Sequence, residues 1–193
     1  MNSGITAEEG TFLHDMIVQN KISRTLEVGM AYGVSTNYIL QGHQVVSKES
    51  DKSSTRRHIA IDPNQNTQWN AIGLYSVMRA GLHRMLKVIE EPSYLALPRL
   101  VQAGEKFELI LIDGMHTFDH TLLDFFYADL LLSPSGVMIF DDKQMAAVGK
   151  VIDFVLKNRS YRLVEPKNLI TDSFAILVKV KDDNREWNFH VAF

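Results

Sequence analysis

The sequence predicts an α/β fold with a doubly wound, mostly parallel sheet of seven strands. Short runs rich in Val, Ile and Leu alternate with segments of helical period along the 193 residues. Some of these runs, such as 109–112, are apolar at every position, as expected for strands that helices cover on both faces. Because crossovers between parallel strands are right-handed, few other arrangements fit this alternation.

The elements follow one another almost regularly. Strands are predicted at 24–28, 58–61, 85–89, 107–112, 136–140, 161–164 and 174–180. Helices are predicted at 7–20, 34–46, 66–81, 94–103, 118–132 and 144–158. The last two strands are joined by a segment with no helix-length pattern, so we expect them to form an antiparallel hairpin at one edge of a Rossmann-like sheet.

Size and composition limit the function classes. A chain of 193 residues that is 46% hydrophobic predicts a single domain, 1–193, with one polar insertion at 47–57. The net charge of -3 gives no basic patch for nucleic acid. The absence of cysteine excludes disulfides and thiolate metal sites. No apolar run is long enough to span a membrane and the first ten residues are not signal-like, so we expect a cytoplasmic protein with no membrane partner.

The first predicted strand ends in a glycine turn. Glu27, Gly29 and Gly33 form the pattern E-x-G-x-x-x-G, followed by helix-forming residues. Such a turn brings backbone N–H groups and a helix N-terminus to the carboxyl edge of the sheet, where an anionic group of a nucleotide-like cofactor can bind. A dinucleotide-binding turn would have Gly or Ala at Thr36, so the spacing fits a pyrophosphate poorly.

Acidic residues terminate five consecutive predicted strands. They are Glu27, Asp62, Glu90 or Glu91, Asp113, and Asp141 with Asp142. Ligands bind beyond the carboxyl ends of strands in an open α/β sheet, so this row of acids predicts the functional edge. The alternative for each acid is that it caps the next helix or is solvated.

Three of these positions have specific candidate roles. Asp62 lies where ribose hydroxyls are bound, and its alternative role is an Asx turn before Pro63. Asp113, Asp141 and Asp142 would form an oxygen cluster suited to Mg²⁺ or a similar ion. The alternative is that one aspartate contacts the cofactor while the others are capped or solvated.

His116 follows Asp113 by three residues and is the candidate general base. Lys143, directly after the aspartate pair, is the other candidate for the base, or it only neutralises local charge. The remaining histidines, including His43 and His58, are expected at the surface or in packing.

Together, the glycine turn, Asp62, the Asp-Gly-x-His sequence starting at Asp113 and the Asp141–Asp142 pair resemble class I S-adenosylmethionine-dependent methyltransferases. The chain is most similar to the small metal-dependent O-methyltransferases of the catechol and caffeoyl-CoA type and to the related group with Asp-Gly-x-His.

The resemblance implies specific roles for residues of this chain. S-adenosyl-L-methionine would bind to one set of positions, which comprises Glu27, Gly29, Gly33, Ser35, Asp62, Ser93, Tyr94 and Asp113. Within it, Ser35 would bind the methionine carboxylate and Ser93 the adenine. A divalent cation would bind to Asp113, Asp141 and Asp142, and His116 and Asp113 would act on a small-molecule hydroxyl acceptor. This family commonly has Asn in place of Asp142 and Lys in place of His116.

Two other functions remain open at this stage. An NAD-linked oxidoreductase or epimerase would share the acid at the second strand, and a non-catalytic relative would keep only the fold. The C-terminal aromatic residues Trp187, Phe189 and Phe193 are candidates to cover the sheet edge or a second subunit, which would make the protein a homodimer.

Overall fold

A computed structural model describes residues 4–48, 57–166, 171 and 173–193 of the chain. The helices are α1 (Ala7–Asn20), α2 (Val34–Lys48), α3 (Ile72–Arg79), α4 (Ser93–Gln102), α5 (Phe118–Leu131) and α6 (Ala146–Asn158). The strands are β1 (Arg24–Val28), β2 (Arg57–Ile61), β3 (Leu86–Ile89), β4 (Phe107–Ile112), β5 (Leu132–Phe140), β6 (Tyr161–Val164) and β7 (Ala175–Lys179).

The strands form one seven-stranded sheet in the order β3-β2-β1-β4-β5-β7-β6. The pairs among β1 to β5 are parallel. β7 pairs antiparallel with both β5 and β6, which confirms the predicted edge hairpin. The chain leaves β1 toward β2 on one side and reaches β4 on the other, so the strand order reverses at β1, where open α/β sheets bind ligands.

Helices cover both faces of the sheet, as the apolar strands predicted. On one face, Leu97 of α4 and Phe125 of α5 pack in the same buried cluster as Ile110 of β4. On the other face, Ile17 of α1 packs in a cluster with Leu111 of β4. Since neighbouring residues of β4 are buried on opposite faces, both helical layers fix the position of this strand and of the loop that follows it.

The structure shifts the bounds of two elements by four residues or more, and those of seven others by one or two residues. The predicted helix 66–81 is shorter, because Asp62 Oδ1 accepts the Asn64 N–H at 2.8 Å and starts a series of turns that continues to Ala71, whose φ is 55°. β5 begins at Leu132 rather than at residue 136, because Leu132 already pairs with Phe107 before an irregularity in the ladder. Most of the predicted insertion, 49–56, lies outside the described residues.

Within the described ranges, every helix is too short or too polar to cross a lipid bilayer.

Candidate active site

The turn after β1 requires glycine at two positions. Gly29 has φ +90°, and a Cβ there would lie 1.9 Å from the carbonyl oxygen of Asp113. Gly33 has φ +74°, and a Cβ there would lie 3.0 Å from Cα of Gly73. Only glycine allows this backbone conformation together with such close approaches. The turn therefore packs directly against the loop that follows β4, which carries Asp113.

Glu27 lies beneath this turn and is completely buried. Its carboxylate accepts hydrogen bonds from the hydroxyls of Ser35 and of Thr36, the latter at 2.6 Å. It also lies 3.1 Å from Nε2 of His58. The single hydroxyl proton of Ser35 is thus directed at Glu27, below the turn. These bonds fix the first turn of α2 against β1.

A buried polar chain continues from Glu27 across the sheet. His58 Nδ1 lies 2.9 Å from the Thr25 hydroxyl, which lies 2.8 Å from His43 Nε2. All four side chains are fully buried. The expectation that His43 and His58 lie at the surface or in packing missed their role in this network. The alternation of Thr25 and Glu27 with apolar neighbours on β1 was the signal that one polar face lies inward.

Asp62 joins the loops after β1 and β2. Its Oδ2 accepts the N–H groups of Met30 at 3.1 Å and Ala31 at 2.8 Å, and its Oδ1 accepts that of Asn64. The Asx turn foreseen as an alternative is therefore present. Because Oδ1 takes a single bond there and a carboxylate oxygen has two acceptor sites, it retains capacity for a ligand hydroxyl.

A cleft of about 410 Å³, here called the glycine-turn cleft, opens above these loops. Five residues predicted for the cofactor line it, and they are Gly29, Asp62, Ser93, Tyr94 and Asp113. Among the described residues, the other three, Glu27, Gly33 and Ser35, lie outside the lining of this cleft. Asn64, Trp69, Met115 and His120 also line it, and no sequence pattern had indicated them for the cofactor.

A second cleft of about 500 Å³, here called the acidic cleft, adjoins the first. The two clefts share Ala31, Trp69, Asp113 and Gly114. The acidic cleft is further lined by Glu8, Glu9, His116, Asp141 and Asp142. Trp69 packs its ring edge-on against Tyr32, with 5.1 Å between the ring centroids. The two clefts therefore meet at the residues that they share.

Asp113, His116 and Asp142 converge in the acidic cleft. Nε2 of His116 lies 3.0 Å from Oδ2 of Asp142 and 3.4 Å from Oδ1 of Asp113. One ligand atom of each residue lies within 4.8 Å of the others. Burial raises the pKa of Asp113 to about 7, although His116 opposes the rise. The nearby carboxylate of Asp113 raises the pKa of His116. These groups can therefore hold a cation or exchange a proton near neutral pH.

Asp141 and Lys143 are engaged at the border of the acidic cleft. Oδ1 of Asp141 accepts bonds from the Ser173 hydroxyl and from the N–H of Asp142, while burial raises the pKa of Asp141. The ammonium of Lys143 donates to the carbonyl oxygen of Thr171 at 2.9 Å. The structure thus brings His116, rather than Lys143, against the carboxylates of the acidic cleft.

Comparison with known proteins identifies the class. A family model described as a methyltransferase domain matches residues 26–143, which is more than half of the chain. The chain therefore belongs to this family and is a methyltransferase. A comparison with curated protein sequences gives no match.

Solved O-methyltransferases share the fold. The enzyme from Bacillus cereus in complex with SAH superposes with a TM-score of 0.72 at 19% identity, covering 93% of this chain and 84% of that chain. TomG from Streptomyces achromogenes, in complex with SAM, gives a TM-score of 0.73 at 16% identity, with coverages of 93% and 83%. A putative caffeoyl-CoA O-methyltransferase from Staphylococcus aureus gives 0.70 at 17% identity, with coverages of 91% and 85%. The architecture is thus that of the small O-methyltransferases.

Proposed function

We propose that this protein transfers the methyl group of S-adenosylmethionine to a hydroxyl of a small molecule, with assistance from a divalent cation. The observation that carries the proposal is the contact between the two clefts at Ala31, Trp69, Asp113 and Gly114. A cofactor in the glycine-turn cleft would present its reactive group at this junction. An acceptor in the acidic cleft would meet it beside His116.

The glycine-turn cleft suits a nucleoside that carries an amino acid. Asp62 lies at the end of β2 with acceptor capacity left on Oδ1, which suits the ribose hydroxyls. Since the methyl group must face the acidic cleft, the base would lie at the opposite end, beside Ser93 and Tyr94. Bound there, S-adenosylmethionine would supply a sulfonium methyl group. The acceptor oxygen would bond to the methyl carbon in line as the carbon–sulfur bond breaks, which releases S-adenosylhomocysteine.

Glu27, Gly33 and Ser35 would contribute from below the turn. The bonds of Ser35 and Thr36 to Glu27 orient the first turn of α2, which begins directly after the glycine turn. A carboxylate of the cofactor would be stabilised by the positive end of the helix dipole. A direct bond from Ser35 to that carboxylate would require its proton to leave Glu27.

His116 would accept the proton of the acceptor hydroxyl at Nε2. The carboxylates of Asp113 and Asp142, 3.4 Å and 3.0 Å from Nε2, would stabilise the protonated ring. The raised pKa of His116 would suit it to accept a proton from a hydroxyl bound beside it. The protein would otherwise act by orienting the two reactants and by excluding water from the junction.

The residues of the acidic cleft fit a divalent cation. Burial raises the pKa of the Asp113 carboxyl to about 7, so its charged form is disfavoured unless a cation lies beside it. Asp113 and Asp142, with Asp141 at the border, would hold the ion. Oxygen ligands of this kind suit Mg²⁺, which would lower the pKa of a bound hydroxyl.

Calorimetric titration of the protein with S-adenosylhomocysteine and with NADH tests the cofactor. We expect saturable binding of the first and none of the second. Binding of NADH alone would support an oxidoreductase, and binding of neither would support a non-catalytic relative.

Transfer of a labelled methyl group to a panel of small hydroxyl compounds, catechols included, tests the reaction. His116→Ala is expected to lower turnover with little change in S-adenosylhomocysteine affinity. The matched control is His83→Ala, because His83 is exposed in the short turn before β3.

Chelator should abolish transfer and Mg²⁺ should restore it. Full activity in chelator would refute the role of the cation.

A further inference from the structure

Ala31 has a strained backbone at the junction of the two clefts. It lines both the glycine-turn cleft and the acidic cleft. Its φ is 44°, in the left-handed region that a residue with a Cβ adopts only at a cost in free energy. Such a conformation persists only where the surroundings hold it.

Two side chains from the loop after β2 hold Ala31 from opposite sides. Its N–H donates to Oδ2 of Asp62 at 2.8 Å. Its carbonyl oxygen accepts a hydrogen bond from Nε2 of Gln65 at 2.8 Å. The same Nε2 also donates to Oδ2 of Asp62 at 3.1 Å, which closes a triangle of hydrogen bonds. We call this arrangement the Ala31 clamp.

The burial of Gln65 has a cost in free energy that is not expected for a residue whose only role is to stabilise the fold. Its side chain is fully buried, and Gln65 lines neither the glycine-turn cleft nor the acidic cleft. Its Oε1 is buried without a hydrogen-bond partner in the described part of the chain. A buried acceptor without a partner destabilises the folded state. The benefit of the side chain therefore lies in its amide nitrogen, which bonds Ala31 and Asp62.

We propose that Gln65 is a positioning residue of the cofactor site. Together with Asp62 it holds Ala31 in the left-handed conformation and so fixes the shape of the turn where the two clefts meet. The choice of S-adenosylhomocysteine as the probe rests on the proposed function. The clamp itself does not.

Gln65→Leu removes the two hydrogen bonds that Nε2 donates to Ala31 and Asp62. It also removes the unpaired Oε1, while a side chain still fills the buried space. We expect the dissociation constant of S-adenosylhomocysteine to rise about tenfold, because the net contribution of about one buried hydrogen bond corresponds to a change of that size. The melting temperature should change little, because losing the two bonds from Nε2 is offset by removing the buried, unpaired Oε1. Hydrogen exchange at the amides of Met30 and Ala31, which both donate to Asp62, should become faster. Gln102→Leu, at an exposed position at the end of α4, is the control and should change none of these.

A second variant separates positioning from general destabilisation. In Gln65→Leu combined with Ala31→Gly, the turn reaches positive φ without the cost of a Cβ. Cofactor affinity should therefore recover in part relative to Gln65→Leu alone. An unchanged dissociation constant in Gln65→Leu overturns the proposal. A joint loss of affinity and melting temperature that glycine does not rescue also overturns it.

Failure of the wild-type protein to bind S-adenosylhomocysteine would count against the proposed function. The clamp is still decided in that case by amide exchange at Met30 and Ala31, measured on ligand-free protein.

Discussion

Asp113 is expected to destabilise the ligand-free protein at alkaline pH, and Asp113→Asn should relieve this effect. Burial raises the pKa of this carboxyl from 3.8 to about 7. The folded state therefore keeps its proton between these pH values while the unfolded state has lost it. Because the folded state binds more protons in this interval, stability falls as pH rises from about 4 to about 7.

The magnitude follows from the pKa difference. A rise from 3.8 to about 7, at about 1.4 kcal/mol per unit, corresponds to roughly 4 kcal/mol at pH 8. Since Asn carries no charge, Asp113→Asn should regain much of this free energy. For a chain of this length the melting temperature should rise by roughly 5–15 °C.

Thermal unfolding of the metal-free protein at pH 5 and pH 8 tests the reasoning. At pH 5 the wild-type carboxyl is mostly protonated, so the two proteins should differ little. At pH 8 the variant should be clearly more stable, and a divalent cation should narrow the gap by stabilising the wild type alone. Asp153→Asn, at an exposed position on α6, is the control. A variant that is less stable than wild type at pH 8 would refute the reasoning.

Three further predictions follow from the geometry of the site. Gly29→Ala should lower the free energy of unfolding by about 2–4 kcal/mol, because its Cβ would meet the Asp113 carbonyl oxygen. Gly104→Ala, with positive φ but open space around it, should cost less in the same denaturant titration. His58→Leu should cost about 1–3 kcal/mol by removing a donor to the buried carboxylate of β1, and equal stability would contradict that bond. Lys143→Met should leave methyl transfer unchanged, and a large loss of turnover would make Lys143 the base.

The fold was accessible from the sequence because its signals are local. β1, β4 and β6 and helix α1 have the predicted bounds, since apolar β-branched runs and helical periods end at clear polar positions. The start of α3 was not predictable in this way. It depends on side-chain bonds of Asp62 that replace the first turns of the expected helix.

The candidate site was predictable where residues follow strand ends, and less so elsewhere. Asp113 and Asp142 were assigned to one edge from strand order, and they converge with His116 there. Trp69 was missed, because its position in both clefts depends on how the loop after β2 folds back over the sheet. Gln65 was missed because a single buried glutamine in a loop has no sequence pattern.

The acids at the strand ends differ in how fully the protein satisfies them, and this difference indicates their roles. Glu27 accepts bonds from two hydroxyls and faces an imidazole, Asp62 accepts several backbone N–H groups, and Asp141 is bonded to Ser173. Bonds of this kind use lone pairs that a ligand would need, so these acids mainly hold the loops in place and offer a ligand only their remaining acceptor sites, as Oδ1 of Asp62 does. Asp113 and Asp142 instead lie 3.4 Å and 3.0 Å from Nε2 of His116 in the acidic cleft, and burial raises the pKa of Asp113. A cation or a proton in transit would stabilise such a pair, which is why we propose that Asp113 and Asp142 carry the chemistry while Glu27, Asp62 and Asp141 mainly support the loops.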